Sequence, residues 1–530
     1  MSWKEAFPSS SRGSNTGRST TFLPKLSGAA WPRDPPGAVA PSSAPSEGSG
    51  MRRNVTALAS GQLITWTMAF LWTFVVPRAL GPAGLGILVA ALSVSGVLGI
   101  VLGLATKMYL VREIVMDRPA ASKLVGTATV LRLLLTPVFA VAVVVYAQLA
   151  GYGHEEKVVL YLAATATALT LLAEPMQAGF QAIERMQYLA YSDVINKSSQ
   201  GLLGIALVLV GFRATGIVAT SAAVAGVVVL LNAFWLRRFL RLDLRTSAGR
   251  LVDMAKESAA YWAFGVFSML YLWIDTIMLS LMTNAEQVGW YGAPIRLFQT
   301  LMFIPVVMAT VWLPRLVSAF KESPERLLAT ARVPLELVLL ASAPICAGTA
   351  VFADPVIHLL YGSQYAEAVP VMVILGFCIP PMYMNILLSQ VVVAAKRQMD
   401  WTKVMVLATV VNPPINFVLI PWTEHRYGNG AIGAAISLLV TELILVAVGF
   451  VIVGPHVLDR RAIRRCILAI VASAAAWAIA YAARPLGTPV QFAAGGATLV
   501  GLALVLRIAT PEELALLRAA VPRLRRRLTG

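Results

Sequence analysis

Arg78-Ala79-Leu80-Gly81-Pro82-Ala83-Gly84-Leu85-Gly86 closes one long apolar segment and opens the next, and Asn284-Ala285-Glu286-Gln287-Val288-Gly289-Trp290-Tyr291-Gly292 does the same further along. The step from Gly86 to Gly292 is 206 residues. Two further echoes follow in the same order. Ala182-Ile183-Glu184-Arg185-Met186 answers to Ala394-Ala395-Lys396-Arg397-Gln398-Met399, and Ala214-Thr215-Gly216-Ile217 answers to Ala431-Ile432-Gly433-Ala434. The offsets drift only from 206 to 217. A repeat of this period in apolar sequence reads as two tandem membrane lobes of like topology, the signature of an alternating-access transporter.

The solvent for this chain is lipid. Of its 530 residues 58% are apolar and only 13% charged, and the mean hydropathy is +0.73. A soluble chain cannot hide that much apolar surface. A helix needs roughly 20 apolar residues to cross hydrocarbon about 30 Å thick. Backbone groups in lipid must be satisfied within the segment, and strict apolar–polar alternation is missing, so the spans are helices and not barrel strands. The expected fold is therefore all-α, with fourteen spans at 56–77, 83–106, 124–149, 157–175, 194–212, 214–236, 258–283, 287–313, 333–353, 369–393, 402–421, 430–453, 465–483 and 488–507. The connectors are short and rich in Gly and Pro, too short for a folded domain outside the membrane.

Basic residues orient the spans. With the N-terminus placed inside, the outer connectors carry five Lys or Arg and the inner connectors 23. This asymmetry puts both termini in the cytoplasm, the basic Arg523-Leu524-Arg525-Arg526-Arg527 included. The net charge of +17 thus belongs to helix ends facing anionic headgroups, and no nucleic-acid motif accompanies it. The expected segments are a disordered Ser/Pro/Gly-rich tail at 1–50, a six-helix lobe at 51–245, a second at 246–458, two additional spans at 459–510 and a basic tail at 511–530. Met51-Arg52-Arg53, just ahead of the first span, reads as a start with its topogenic charges. The three cysteines (Cys346, Cys378, Cys466) show no CxxC spacing, and the four histidines are scattered through connectors, so no metal site is expected.

Several motifs in order carry a resemblance. They are the Leu80–Gly86 turn, Ile274-Asp275-Thr276 in span 7, Gly289-Trp290-Tyr291-Gly292-Ala293 with Arg296, Trp312-Leu313-Pro314-Arg315, and Leu359-Leu360-Tyr361-Gly362-Ser363-Gln364-Tyr365. Together they resemble the polysaccharide transporter family, the O-antigen and exopolysaccharide flippases of the superfamily that also holds the MATE exporters and the lipid II flippases. The resemblance covers roughly 52–507. It implies two six-helix lobes around a central cavity that opens in turn to each side of the bacterial cytoplasmic membrane. It also implies an undecaprenyl-diphosphate-linked oligosaccharide as substrate, and a polysaccharide polymerase and chain-length regulator as partners beside the membrane lipids. Spans 13 and 14 would either form a groove for the lipid tail or serve only as structure. A cation-coupled MATE-like exporter and a lipid II flippase are the alternatives. An enzyme is not expected: no Asp-x-Asp pair and no GxxxxGK[ST] motif occurs. No cofactor is implied.

Ionisable residues within spans tend to face a cavity or a partner. Arg132, a third of the way into span 3, and Arg296, near the outer end of span 8, either attract a diphosphate or snorkel to headgroups. Asp275, deep in span 7, either holds a coupling cation or proton or pairs with Arg296. Glu442, near the middle of span 12, and Glu174, near the inner end of span 4, are further coupling candidates. Gln62, Asn385, Asn412 and Asn416 either bind sugar hydroxyls or join helices. The span 7 aromatics Tyr261, Trp262, Phe264, Phe267, Tyr271 and Trp273 either stack on sugars or pack helices. Pro137, Pro305, Pro344, Pro380-Pro381 and Pro413-Pro414 each weaken helical continuity, and the two pairs suggest kinks or broken helices in the second lobe.

Overall fold

The structure, a computed structural model, describes residues 47–104, 106–454 and 457–506, without the side chains of 47–67, 69, 70, 101, 260, 261, 263 and 264. Its described residues form fifteen α-helices and no strand: α1 (Glu47–Gly103), α2 (Thr106–Met116), α3 (Ala121–Leu149), α4 (His154–Ala182), α5 (Met186–Leu209), α6 (Ala214–Leu236), α7 (Ala248–Met282), α8 (Ala285–Leu301), α9 (Phe303–Glu322), α10 (Pro324–Tyr361), α11 (Ala368–Ala394), α12 (Gln398–Tyr427), α13 (Gly430–Val453), α14 (Arg460–Ala482) and α15 (Thr488–Val505). The fold is all-α, and the chain is a multi-pass membrane protein.

Twelve stretches of the described residues are long and apolar enough to cross a membrane. Of the two spans fewer than fourteen, one is expected span 1, most of which lies among residues whose side chains are not described; it runs into span 2 as α1, whose one non-helical residue is Gly81 (φ 71). Only glycine adopts that backbone without penalty, so a sharp turn fits into a single residue. The other is α5, whose inner half (Ser192-Asp193-Val194-Ile195-Asn196-Lys197-Ser198-Ser199-Gln200) is too polar to count by composition.

Of the two forms expected at the proline pairs, a kink or a broken helix, the second is not found. Pro380 and Pro381 lie inside continuous α11, and Pro413 and Pro414 inside continuous α12. Neither pair breaks its helix. The break in the second half falls in span 8, between α8 and α9 at Met302. Pro305 follows in the first turn of α9, where a missing N–H forfeits no helical bond.

Helices α1–α6 pack on one another as a first bundle and α7–α13 as a second, with α14 and α15 paired and α14 laid along α10. The segment joining the bundles is held against α3. The Asp243 backbone fills the space where a side chain on Gly126 would stand, and Thr127 and Thr246 share a hydroxyl hydrogen bond of 3.1 Å. Ion pairs fix α14 at both ends. Arg465–Glu336 (2.6 Å) and Arg332–Asp459 (2.8 Å) sit at its start, and Arg484–Asp354 (2.9 Å) at its end. Between them an apolar groove of about 350 Å³, lined by Ala343, Cys346, Phe377, Cys466 and Trp477, runs between α10, α11 and α14.

Candidate functional site

The two copies of the repeated turn meet each other. A Cβ on Gly86 would lie 1.7 Å from the Ala285 carbonyl oxygen, one on Gly289 2.0 Å from that of Pro82, and one on Gly292 3.1 Å from Val89 Cγ2. The second half of α1 and α8 therefore touch backbone to backbone, with no side chain between them. The Leu359–Tyr365 motif closes the same end. Tyr365 Oη donates to the Pro77 carbonyl (2.8 Å), Gln364 Nε2 to that of Arg78 (2.9 Å), and Arg78 Nη1 to that of Leu359 (3.3 Å). Leu85, Ala293, Ile357, Tyr361 and Tyr365 form a dry core behind the contact. Three of the motifs quoted for the resemblance thus build one seal between the bundles.

Below it lies a buried polar network in the second bundle. Asp275 Oδ1 accepts from Asn412 Nδ2 (3.0 Å) and Asn416 Nδ2 (2.6 Å), and Asn412 Nδ2 also reaches Thr441 Oγ1 (3.3 Å). Tyr291, 2% exposed, packs in the core of the same bundle. Beside it, Glu442 accepts from Tyr271 Oη and from Asn385 Nδ2 (2.6 Å). Asp275 and Glu442 are 3% and 2% exposed. Buried carboxylates require hydrogen bonds or a cation. Among the described residues no Lys, Arg or His stands within ion-pair distance of either, while Asn385 Oδ1 and Asn416 Oδ1 receive no donor. The cluster is thus rich in oxygen acceptors and short of positive charge.

Arg296 does not pair with Asp275. Its guanidinium stacks 4.1 Å over the Trp72 ring. It is the twelfth residue of α8, about 16 Å along the helix axis from its start. Its neighbour Leu297 and Trp72's neighbour Thr73 both line a cleft of about 760 Å³ between α1 of the first bundle and α8–α11 of the second. Among the described residues no carboxylate pairs with Arg296.

Arg132 and Glu174 find each other (2.9 Å) within the first bundle. Arg132 Nη2 also donates to the Gly103 carbonyl (3.0 Å) and Thr106 Oγ1 (2.9 Å), while its Nε and Nη1 are buried without partners. Arg132 neither snorkels nor faces the cleft. It caps the end of α1, where Leu104 takes a left-handed backbone (φ 41). The side chain of Gln62 lies outside the described residues, as do those of Tyr261 and Phe264. Trp262 Nε1 donates across the bundles to the Ile100 carbonyl (3.0 Å), a packing role.

The residues that sequence reasoning missed are Trp72, which stacks under Arg296, and Thr441, which meets Asn412.

Fold and seal define the class, a helical membrane transporter built as two facing bundles. The polysaccharide biosynthesis protein family model matches residues 51–320, just over half of the chain, and the MatE model matches residues 262–418. The chain belongs to the polysaccharide biosynthesis protein family. A Shigella flexneri protein named as a candidate O-antigen transporter is 25% identical over 315 residues, 54% of this chain and 71% of its own. The fold is that of the lipid II flippase MurJ in an inward closed conformation (TM-score 0.67, 13% identity, 84% of this chain and 98% of that one). An inward-facing multidrug MATE transporter is also similar (TM-score 0.55, 15% identity, 73% and 94%).

Proposed function

We propose that the chain is a flippase that carries undecaprenyl-diphosphate-linked oligosaccharide units across the bacterial cytoplasmic membrane for surface polysaccharide synthesis. The observation that carries this reading is Arg296, a cation without a carboxylate partner among the described residues, stacked on Trp72 beside the inter-bundle cleft. A sugar headgroup in hydrocarbon would leave each hydroxyl unpaired at a cost of several kcal/mol. A cleft removes that cost, and a guanidinium gives the diphosphate its counter-charge in a bidentate geometry. Lobes at 51–245 and 246–458 rock about the seal, both termini stay in the cytoplasm, and a polymerase and chain-length regulator receive the product outside. The family match and the Shigella relative support the substrate class.

The Asp275 network holds the coupling cation or proton. Carboxylate and amide oxygens with unused acceptors suit a hard monovalent cation such as sodium. The same network would serve a MATE-like exporter, but the uncompensated cation at Arg296 favours an anionic headgroup.

A deletion strain tests the reading. Lipid-linked repeat units accumulating on the cytoplasmic leaflet, with surface glycan lost, are expected. Normal surface glycan and no accumulation, in a strain without a paralogue, overturn it.

A further inference from the structure

A polar cavity of about 260 Å³ lies beside the seal, and its walls come from both bundles. The second half of α1 and the α3–α4 connector supply one side, and the end of α7 and the start of α8 the other. Gly86 and Ala285, whose backbones meet at the seal, both line it. So do Tyr152 of the first bundle and Ser280 of the second, which share a hydroxyl hydrogen bond of 3.1 Å. Just before Ser280, Ile277 packs against the core of the first bundle. Gly151 and Asn284, exposed in the two connectors, line the cavity as well, so it opens to water at the seal end. We propose that this cavity is a saccharide site that exists only while the bundles are sealed, and that a sugar bound there holds the seal shut. The regulatory meaning rests on the flippase reading, which puts this end of the molecule outside, whereas the binding does not.

The walls define the ligand class. Among the described residues that line the cavity only Glu156 is charged. Its Oε2 accepts from the Gly153 N–H (2.7 Å), and the nearby cations go elsewhere, Arg213 to Glu155 and Lys157 to Gln148. An anion is repelled by such a wall, and a hard cation finds a single carboxylate. A neutral ligand rich in hydroxyls fits. Its O–H groups donate to Glu156 in charge-assisted bonds. Thr283 Oγ1 spends its proton on the Leu279 carbonyl (2.7 Å) and keeps lone pairs to accept with, while Asn284 caps α8 with Oδ1 (Gln287 N–H, 3.1 Å) and keeps its amide N–H groups to donate. Tyr152 is held edge-on to Tyr146 (5.9 Å between ring centres), so its hydroxyl is placed before a ligand arrives. The volume lies just under the range of about 300–1,000 Å³ for drug-sized ligands, room for one sugar ring. Since each bundle holds part of the wall, parting the bundles destroys the site. A ligand that binds one of two states shifts the balance toward that state. Glycan building up outside therefore restrains further flipping.

The test uses the full chain in proteoliposomes with Ala293→Cys behind the seal and a maleimide that cannot cross the membrane, the label being assigned by peptide mapping because three native cysteines remain. D-Glucose, D-galactose and N-acetyl-D-glucosamine are titrated, with sorbitol as the osmotic control. At least one ring should slow labelling saturably, by about fivefold or more, and saturation-transfer NMR on the same protein should show that sugar in contact. Adding Glu156→Gln removes the charge and leaves an oxygen to cap Gly153. Adding Ala150→Phe fills the cavity from the α3–α4 connector. Each should abolish both the slowing and the contact, and either serves alone should the other not fold. Labelling that none of the three sugars slows overturns the proposal. So does slowing that sorbitol matches, or slowing that survives in both variants. No lipid-linked substrate enters the assay, so its outcome is separate from that of the flippase reading.

Discussion

Gly86→Ala puts the seal to a quantitative test. The added methyl would sit 1.7 Å from the Ala285 carbonyl oxygen and 2.7 Å from its carbon. Ordinary contact starts near 3.4 Å, so α1 and α8 must part by about 1.7 Å, with no rotamer to share the strain. Overpacking of this kind costs about 1–3 kcal/mol. Only the sealed state bears that cost, because the methyl faces open space once the bundles separate. The ratio of open to sealed protein then rises about fivefold to 150-fold. Global stability does not fall in step, since Gly→Ala inside a helix returns about 1 kcal/mol in either state. The assay is maleimide labelling of a cysteine at Ala293, a residue that is 0% exposed behind the seal, using a reagent that cannot cross the membrane. Labelling should quicken by the same factor at an unchanged melting temperature. Two controls bracket the result. Gly96→Ala has its nearest neighbour, Trp273 Nε1, at 3.8 Å and should change nothing. Gly433→Ala meets the Leu419 oxygen at 2.4 Å within the second bundle, so it should lower the melting temperature without labelling Ala293. Unchanged labelling in Gly86→Ala would refute the argument, as would equal labelling in Gly433→Ala.

Other expectations follow from the same geometry. Arg296→Lys keeps the charge but loses the stack on Trp72, worth about 0.5–2 kcal/mol. Flipping of lipid-linked glycan in proteoliposomes should drop about twofold to thirtyfold, and Arg296→Ala should abolish it. Glu174→Ala leaves Arg132 buried and unpaired at a cost near the lower end of the usual 3–5 kcal/mol, because Glu174 is itself 30% exposed. Thermal unfolding in detergent should show the loss, and Arg132→Leu with Glu174→Leu together should recover most of it. Asp459 caps α14 through the Ala462 N–H (2.7 Å), which with Arg332 holds its carboxyl below the usual carboxylate range. A depressed value means that the stabilisation is present above about pH 4 and fades as acid protonates the group. Proteolysis before α14 should therefore be flat from pH 5 to 8 and faster in Asp459→Ala at every pH in that window.

How much of the fold and the site is legible in the sequence depends on which physical rule applies. Lipid forces polar groups to find partners, so Asp275, Glu442, Asn385, Asn412 and Asn416 stand out from the apolar residues around them by type alone. Which partner each one takes is a tertiary fact. Asp275 and Arg296 look paired because they flank one hairpin, whereas the amides that hold Asp275 lie 137 and 141 residues away. The Arg132–Glu174 pair is legible by depth. Arg132 is eleven residues from the inner end of α3 and Glu174 eight from that of α4, so the two stand within about 5 Å of one level. The proline pairs leave a kink and a break equally open in the sequence, and the structure keeps α11 and α12 continuous through them.

The repeat itself is explained by the seal. Pro82, Gly86 and Val89 are spaced by four and three residues, as are Ala285, Gly289 and Gly292. Each set forms one stripe along a helix face, and the two stripes meet. Two helices that approach this closely need small residues on the facing stripes, and glycine on both satisfies that with least demand on shape. Their inner ends differ from the rest of the bundle in another way. α1 stops at Gly103, whose carbonyl takes Arg132, and α8 stops at Leu301, whose carbonyl takes the Tyr383 hydroxyl at 2.6 Å. Both donors are fully buried. A helix end buried among other helices leaves carbonyls unpaired, and these two are met by side chains from neighbouring helices. Tyr383→Phe removes one brace and leaves a buried carbonyl unpaired, at about 1–3 kcal/mol. Amide exchange should then rise at residues 302–306 and stay low at residues 285–292, where the seal holds the helix. Exchange rising equally along all of α8 would show that seal and brace are not separate supports.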